Sequence, residues 1–212
     1  MLDFAKQLPI TDVWTVVEEG LTQTCAAWKS GRFVPLLEAD FAGYLYYLLV
    51  SSSLGDASQF HLETRLVGRK TITRFDLVIG SVLNSDDQRK AIAVSGAIPE
   101  EMRAAIKSKA FLSMFRPAIM PCVVLEFKAF PLGFTPQQHN VHFNHALEDI
   151  SKLKEIAPAC PDGRAVVLFD GDRYLTSHRI AELLDARARE DAKIRVYLCT
   201  GNPVEEACWH RH

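Results

Sequence analysis

The chain has no two cysteines spaced C-x-x-C, no apolar run of membrane-spanning length, no internal repeat, no low-complexity tract and no large excess of either charge. Each absence excludes something. The five cysteines, Cys25, Cys122, Cys160, Cys199 and Cys208, are odd in number and scattered, which argues against a zinc ribbon and a disulfide framework; reduced thiols are expected. The longest apolar stretch, Phe41 to Val50, falls short of the roughly 20 residues a spanning helix needs, so no membrane segment is expected. Residues 1–9 carry Asp3 and Lys6 and lack an apolar h-region, so no signal peptide is expected and the expected location is the cytoplasm. A net charge of −2 provides no global basic field to draw the chain onto nucleic acid, so any such binding has to come from a local patch.

What is present is ordinary for a globular protein: 212 residues, 48% hydrophobic and 24% charged, enough to bury one core. No stretch reads as a linker, so residues 1–212 are expected to form a single domain. Val13, Trp14, Val17, Leu21, Cys25 and Trp28 recur at three-to-four spacing and predict a helix, capped by Thr11 or Asp12 and stopped by Ser30-Gly31, within an N-terminal segment 1–34. A second helix is predicted from about Pro35 to Val50. Phe60 to Val67 and Thr71 to Ile79 alternate as strands and read as a hairpin, with Phe60, Leu62, Thr64 and Leu66 sharing one face. Residues 81–118 read as an insertion carrying a helix from Pro99 to Phe115. Cys122 to Phe130, between Pro121 and Pro131, is the strongest strand signal. A helix from Phe143 or Asn144 to Ala157, a strand from Ala165 to Asp170, a helix from Ser177 to Arg189 and a strand from Ile194 to Thr200 follow; the tail from Asn202 has no clear type. The alternation predicts an α/β fold, a mixed central sheet flanked by helices.

Charged residues interrupt two of the apolar strands. Asp76 lies in Phe75-Asp76-Leu77-Val78-Ile79, and Glu126 and Lys128 lie two apart, hence on one face, in the strand that follows the insertion. Charges on central strands are costly unless each has a partner, and two carboxylates on adjacent strands repel. A divalent cation resolves that repulsion, and hard oxygen donors suit Mg²⁺ or Mn²⁺. A lysine beside them can orient a metal-bound water or stabilise charge on a phosphate, a set of groups suited to phosphodiester hydrolysis.

An acidic residue on one strand followed by Glu-x-Lys on the next, here Asp76 and Glu126-Phe127-Lys128, resembles the PD-(D/E)xK nuclease superfamily. The resemblance covers roughly Leu36 to Phe169. It implies a restriction-endonuclease-like core with a helical insertion between the second and third core strands, and metal-dependent hydrolysis of DNA. It further implies Asp76, Glu126 and Lys128 as catalytic residues. The implied metal ligands are Asp76, Glu126, a backbone carbonyl such as that of Phe127, and Glu38 from the upstream helix. Lys152, and after it Asp149, on the following helix would support the site or touch the phosphate backbone. The proline usual before the first aspartate is replaced by Phe75, and the gap to Glu126 is long, 126 − 76 = 50 residues. The two strands must therefore be neighbours for the site to exist.

Arg65, Lys70 and Arg74 crowd the hairpin and are candidate DNA contacts, or else its solvated face. DNA is the expected partner, with a homodimer or larger assembly possible for cutting both strands. The alternative is a non-catalytic nucleic-acid or protein interaction module on the same fold. Asp170-Gly171-Asp172 loosely resembles the haloacid-dehalogenase phosphatase motif, but only 212 − 172 = 40 residues follow it, so a strand-end turn is expected. His139, His142 and His145 carry no further zinc pattern and read as loop and helix-start polar residues.

Overall fold

The computed structural model describes residues 10–52, 59–67, 72–82, 119–131, 133–171, 173–200 and 209–211. The four helices among them are α1 (Ile10–Lys29), α2 (Glu38–Val50), α3 (Pro136–Glu155) and α4 (Ser177–Glu190). The strands are β1 (Phe60–Val67), β2 (Ile72–Val82), β3 (Ile119–Phe130), β4 (Arg164–Asp170), β5 (Arg195–Thr200) and a three-residue β6 (Trp209–Arg211). They form one mixed sheet in the order β1-β2-β3-β4-β5-β6. The pairs β1–β2, β2–β3 and β5–β6 are antiparallel, whereas β3–β4 and β4–β5 are parallel. Helices α3 and α4 supply the crossovers that parallel neighbours require.

The sheet is apolar on both sides. Leu77, Ile79, Val123, Leu125, Phe127, Val167 and Phe169 pack under α1 and α2. Val78, Val124, Phe130, Val166 and Leu168 pack under α3, against Phe143, Ile150 and Leu153. Burial on two faces explains why β4, buried at every position, reads as a continuous hydrophobic run. No helix among the described residues is long and apolar enough to cross a membrane.

The connection from α3 to β4 sets where α3 sits. Gly163 accepts from the Val124 amide at 2.6 Å, locking the register of β4 on β3. Arg164, 1% exposed, donates to the Leu153 carbonyl at 3.2 Å and the Pro161 carbonyl at 2.7 Å, and pairs with Asp191 at 2.7 Å. The C-terminal end of α3 is thereby tied to the start of β4, which holds the helix over β3. A Cβ at Gly163 would overlap the Cys122 carbonyl and lie 2.8 Å from Cys160 Sγ. Gly163→Ala is therefore expected to destabilise by about 3 kcal/mol, as overpacking against backbone does, read by denaturant unfolding.

Several sequence expectations need correction. Helix α3 begins at Pro136, not at 143 or 144: the Thr135 hydroxyl accepts from the Gln138 amide while Gln138 Oε1 accepts from the Thr135 amide, a capping box. His139, His142 and His145 consequently lie on the helix rather than in a loop. Helix α2 starts at Glu38, because Asp40 accepts from the Leu36 and Leu37 amides and Leu37 is extended at the N-cap. Phe60 and Leu66 do not share a face: Phe60 packs with the α1–α2 side and Leu66 with the α3–α4 side. Between them Glu63 takes φ 51°, which turns the strand over. The tail is not featureless, since Trp209–Arg211 pairs with β5. Cys25 and Cys199 are not reduced thiols: they form a disulfide joining α1 to β5, with a Cα–Cα distance of 6.2 Å. The predicted helix Pro99–Phe115 and most of the insertion, residues 83–118, lie outside the described residues.

Candidate active site

β2 and β3 are neighbours, as the candidate site requires. Their ladder runs from Val82↔Ile119 to Leu77↔Leu125. Beyond Leu125 the main-chain pairing gives way to a side chain: the Phe127 amide donates to Asp76 Oδ2 at 2.8 Å. Asp76 also marks a change of face, with Phe75 on the α3 side and Leu77 on the α1–α2 side. Opposite it is the left-handed Glu63, flanked by the pairs Leu62↔Leu77 and Thr64↔Phe75. The twist aims the Asp76 carboxylate across at β3, so β2 and β3 form the arms of a fork that this carboxylate bridges.

Val124, Glu126, Lys128 and Phe130 of β3 look toward α3. Glu126, 1% exposed, lies 2.6 Å from Lys152 Nζ, which also sits over the Phe75 ring. Lys128 Nζ lies 2.8 Å from Asp149 Oδ2 and 3.5 Å from Glu38 Oε2, and donates to the Phe127 carbonyl at 2.9 Å. Lys152 is 3.7 Å from the other Asp149 oxygen. Glu38, the first residue of α2, accepts from the Ala129 amide at 3.3 Å and meets His142 Nδ1 at 3.2 Å. One chain of contacts thus runs Glu126, Lys152, Asp149, Lys128, Glu38, His142. It draws residues from β3, α3 and α2, with Asp76 of β2 bridged to it through the Phe127 amide.

His142 was not singled out as a site residue from sequence. His142, Asp149 and Lys152 are spaced by seven and three on α3, so they share a helical face. That periodicity becomes readable only once the helix is known to begin at Pro136.

Four carboxylates, Glu38, Asp76, Glu126 and Asp149, face two ammonium groups, Lys128 and Lys152: a formal local charge of 2 − 4 = −2. Burial pushes the Glu126 carboxyl well above its usual range, and Asp76 and Asp149 push it further against the pull of Lys152. Burial also raises the Asp149 carboxyl, opposed by Lys128 and Lys152 and assisted by Asp76. Burial would lower Lys128, but Asp149, Glu38 and Asp76 outweigh it and hold the amine well above its usual value, so it is charged at neutral pH.

Donor type and charge fit a hard divalent cation. Glu126 Oε1 and Asp149 Oδ2, both buried, touch lysine ammoniums at angles outside hydrogen-bond geometry. Against this, no group of three His, Cys, Asp or Glu side chains stands ready to hold a metal among the described residues. The physical reason is visible: Lys152 lies against Glu126, Lys128 lies between Asp149 and Glu38, and Asp76 is turned to an amide.

A pH dependence follows for Glu126. The folded protein retains a proton that the unfolded chain releases, so this residue costs stability as pH rises through the ordinary glutamate range, levelling off above its own raised pKa. Glu126→Gln is expected to melt higher than wild type at neutral pH, with the gap closing at acid pH. Thermal melts across that range check it.

The other candidates lie farther out. Arg74 is exposed and pairs with Glu63 at 2.8 Å. The Arg65 backbone is part of β1, opposite Arg74, and Lys70 lies outside the described residues. Asp170 serves a turn, accepting from the Tyr174 and Leu175 amides at 3.1 and 2.7 Å, while Asp172 lies outside the described residues. A cleft of about 660 Å³ opens beside the fork, with Asp76, Glu38 and His142 in its wall. Glu126 is not part of that wall; it lies behind, under Lys152. Compared with family models, curated proteins and solved structures, the chain gives no match to any of the three.

Proposed function

We propose that the fork hydrolyses phosphodiester bonds in DNA with a bound Mg²⁺ or Mn²⁺, in the manner of PD-(D/E)xK nucleases on a restriction-endonuclease-like core. The observation that carries this reading is the meeting of Asp76, Glu126, Lys128 and Glu38 at one strand fork with a formal excess of negative charge. Asp76 and Glu126 would hold the ion, and Glu38, on the cleft side, is the further ligand. The Phe127 carbonyl already accepts from Lys128, which makes it the weaker candidate. The ion would supply a water acidified toward neutral pH and charge stabilisation at the phosphoryl oxygens. Lys128, kept charged by Asp149 and Glu38, would orient the attacking water or meet charge developing on the phosphate. Lys152, on a long and partly exposed stem, neutralises Glu126, and with a cation at Glu126 it would be available to the DNA backbone.

Cleavage of plasmid and single-stranded DNA with Mg²⁺ or Mn²⁺, by wild type and Lys128→Ala, tests the proposal. Expected is metal-dependent cleavage that falls at least ~100-fold in the variant, the scale for removing one charge-stabilising donor. Equal cleavage by both would remove Lys128 from the chemistry. Cutting both strands would call for a homodimer or a larger assembly.

One observation favours a second reading, a non-catalytic interaction module for nucleic acid or protein: the lysines already pair with the carboxylates as counter-charges, and no three-ligand cluster is preformed among the described residues. Such a module would take up no Mn²⁺ at the fork.

A further inference from the structure

The cleft beside the fork has two unlike walls. Asp76, Glu38 and His142 form its polar end. Phe33, Val34, Leu36, Leu37 and Phe134 are among the residues of its apolar wall. Leu36 and Leu37 are 84% and 69% exposed, yet they do not hang on a loose loop. Their amides are both bound by Asp40 Oδ2, at 2.7 and 2.9 Å, as the lead-in to α2. Two large apolar side chains exposed to water on a hydrogen-bonded backbone, beside a candidate hydrolytic site, call for an apolar occupant.

Size and charge narrow what that occupant is. A volume of about 660 Å³ lies within the range of pockets that enclose one small molecule, roughly 300–1,000 Å³, and is far too small for a duplex. The charged groups in the wall are Glu38, Glu63, Asp76 and Arg74, and Arg74 is already paired with Glu63. A wall with more acid than base repels a phosphate backbone but accepts an uncharged, flat base. Apolar side chains pack on the faces of unpaired bases, and aromatic ones stack on them without regard to sequence.

Resting on the nuclease reading of the fork, we propose that the cleft binds an unpaired nucleobase of DNA. The adjoining phosphate is thereby placed at Asp76, and the substrate class is single-stranded DNA or a single-stranded overhang rather than paired duplex. Leu36, Leu37 and Phe134 are the specificity-determining contacts. The base enters with its apolar faces against them, and its phosphate lies at the Asp76 end, where a cation held at the fork would offset the repulsion of Glu38 and Asp76.

The test is fluorescence anisotropy of labelled oligonucleotides with the full chain in Ca²⁺, which supports binding without requiring cleavage. Single strand, blunt duplex and duplex with an overhang, all of one length, are compared. Leu36→Ser/Leu37→Ser is the variant: serine is a favoured residue at the start of a helix, so α2 keeps its cap while the apolar surface is lost. Phe134→Ala is the second. Expected is binding of single strand and overhang at least ~10-fold tighter than of blunt duplex, with each variant losing most of that preference. Equal binding of blunt duplex and single strand, no binding of single strand, or a preference that survives both variants would overturn the proposal. Metal-dependent cleavage by wild type alongside any of these would leave the nuclease reading standing. Single-strand preference without cleavage in Mg²⁺ would keep the cleft and remove the nuclease.

Discussion

Asp76→Asn is expected to lose metal-dependent DNA cleavage by more than ~100-fold while keeping its fold, because a metal ligand should cost more than the roughly 10–100-fold that outer partners of a metal site cost. The substitution separates two roles of one side chain. An asparagine oxygen can still accept from the Phe127 amide, which Asp76 reaches at 2.8 Å, so the bridge across the fork remains. What disappears is the charge. A charged hydrogen bond becomes a neutral one, a loss of about 1 kcal/mol. Removing the Asp76 charge also relieves one cause of the raised Glu126 carboxyl, which offsets part of that loss. Melting temperature should therefore move by no more than about 2–4 °C for a chain of this size. Cleavage assays and melts on the same preparation read both. A variant that unfolds would instead place Asp76 among the structural residues, and one that cleaves normally would take it out of the site.

Asp149→Ala is expected to be the most destabilising single change in the site, by about 3–5 kcal/mol, the scale for stripping one partner from a buried ion pair. Lys128 Nζ lies 2.8 Å from Asp149 Oδ2, and both side chains are 10% exposed. Without Asp149 the lysine retains only Glu38 at 3.5 Å and the Phe127 carbonyl, in surroundings that penalise its charge. Melting should fall by about 6–12 °C or more. Lys128→Met/Asp149→Leu should recover most of the loss, since no uncompensated charge is left behind, but it should not recover cleavage. Denaturant unfolding of both variants gives the comparison. A cost under about 1 kcal/mol for Asp149→Ala would mean that water reaches the pair and that Lys128 is not held in a dry site.

The fold was legible where burial is uniform along an element. β3 announces itself as an apolar run between Pro121 and Pro131, and β4 as an unbroken one. The same apolar background made Asp76, Glu126 and Lys128 conspicuous as charges. Less legible were features fixed by a few local bonds. The Thr135-x-x-Gln138 capping box with Pro136 was present to be read, but the neighbouring Pro131, Gly133 and Pro136 resemble loop punctuation, and His142 was lost with the first two turns of α3. Nothing in the pattern of β1 signals that Glu63 turns the strand over, since alternation cannot register one left-handed residue. Cys25 and Cys199 are 174 residues apart, and their pairing depends on α1 lying over β5, which no spacing rule contains. The extent to which Lys152 covers Glu126 is likewise a property of how α3 sits on the sheet, set by Arg164 and Gly163 far from the motif.

The central claim is that the strand fork takes up a divalent cation between Asp76 and Glu126. Titration of Mn²⁺ into the purified chain, followed by electron paramagnetic resonance of the free ion, tests it without relying on turnover. Expected is saturable uptake at the fork that strengthens as pH rises, because the buried Glu126 must lose its proton to bind, and that is lost in both Asp76→Asn and Glu126→Gln. Wild-type protein that takes up no Mn²⁺, or that binds it equally well in both variants, would contradict the claim.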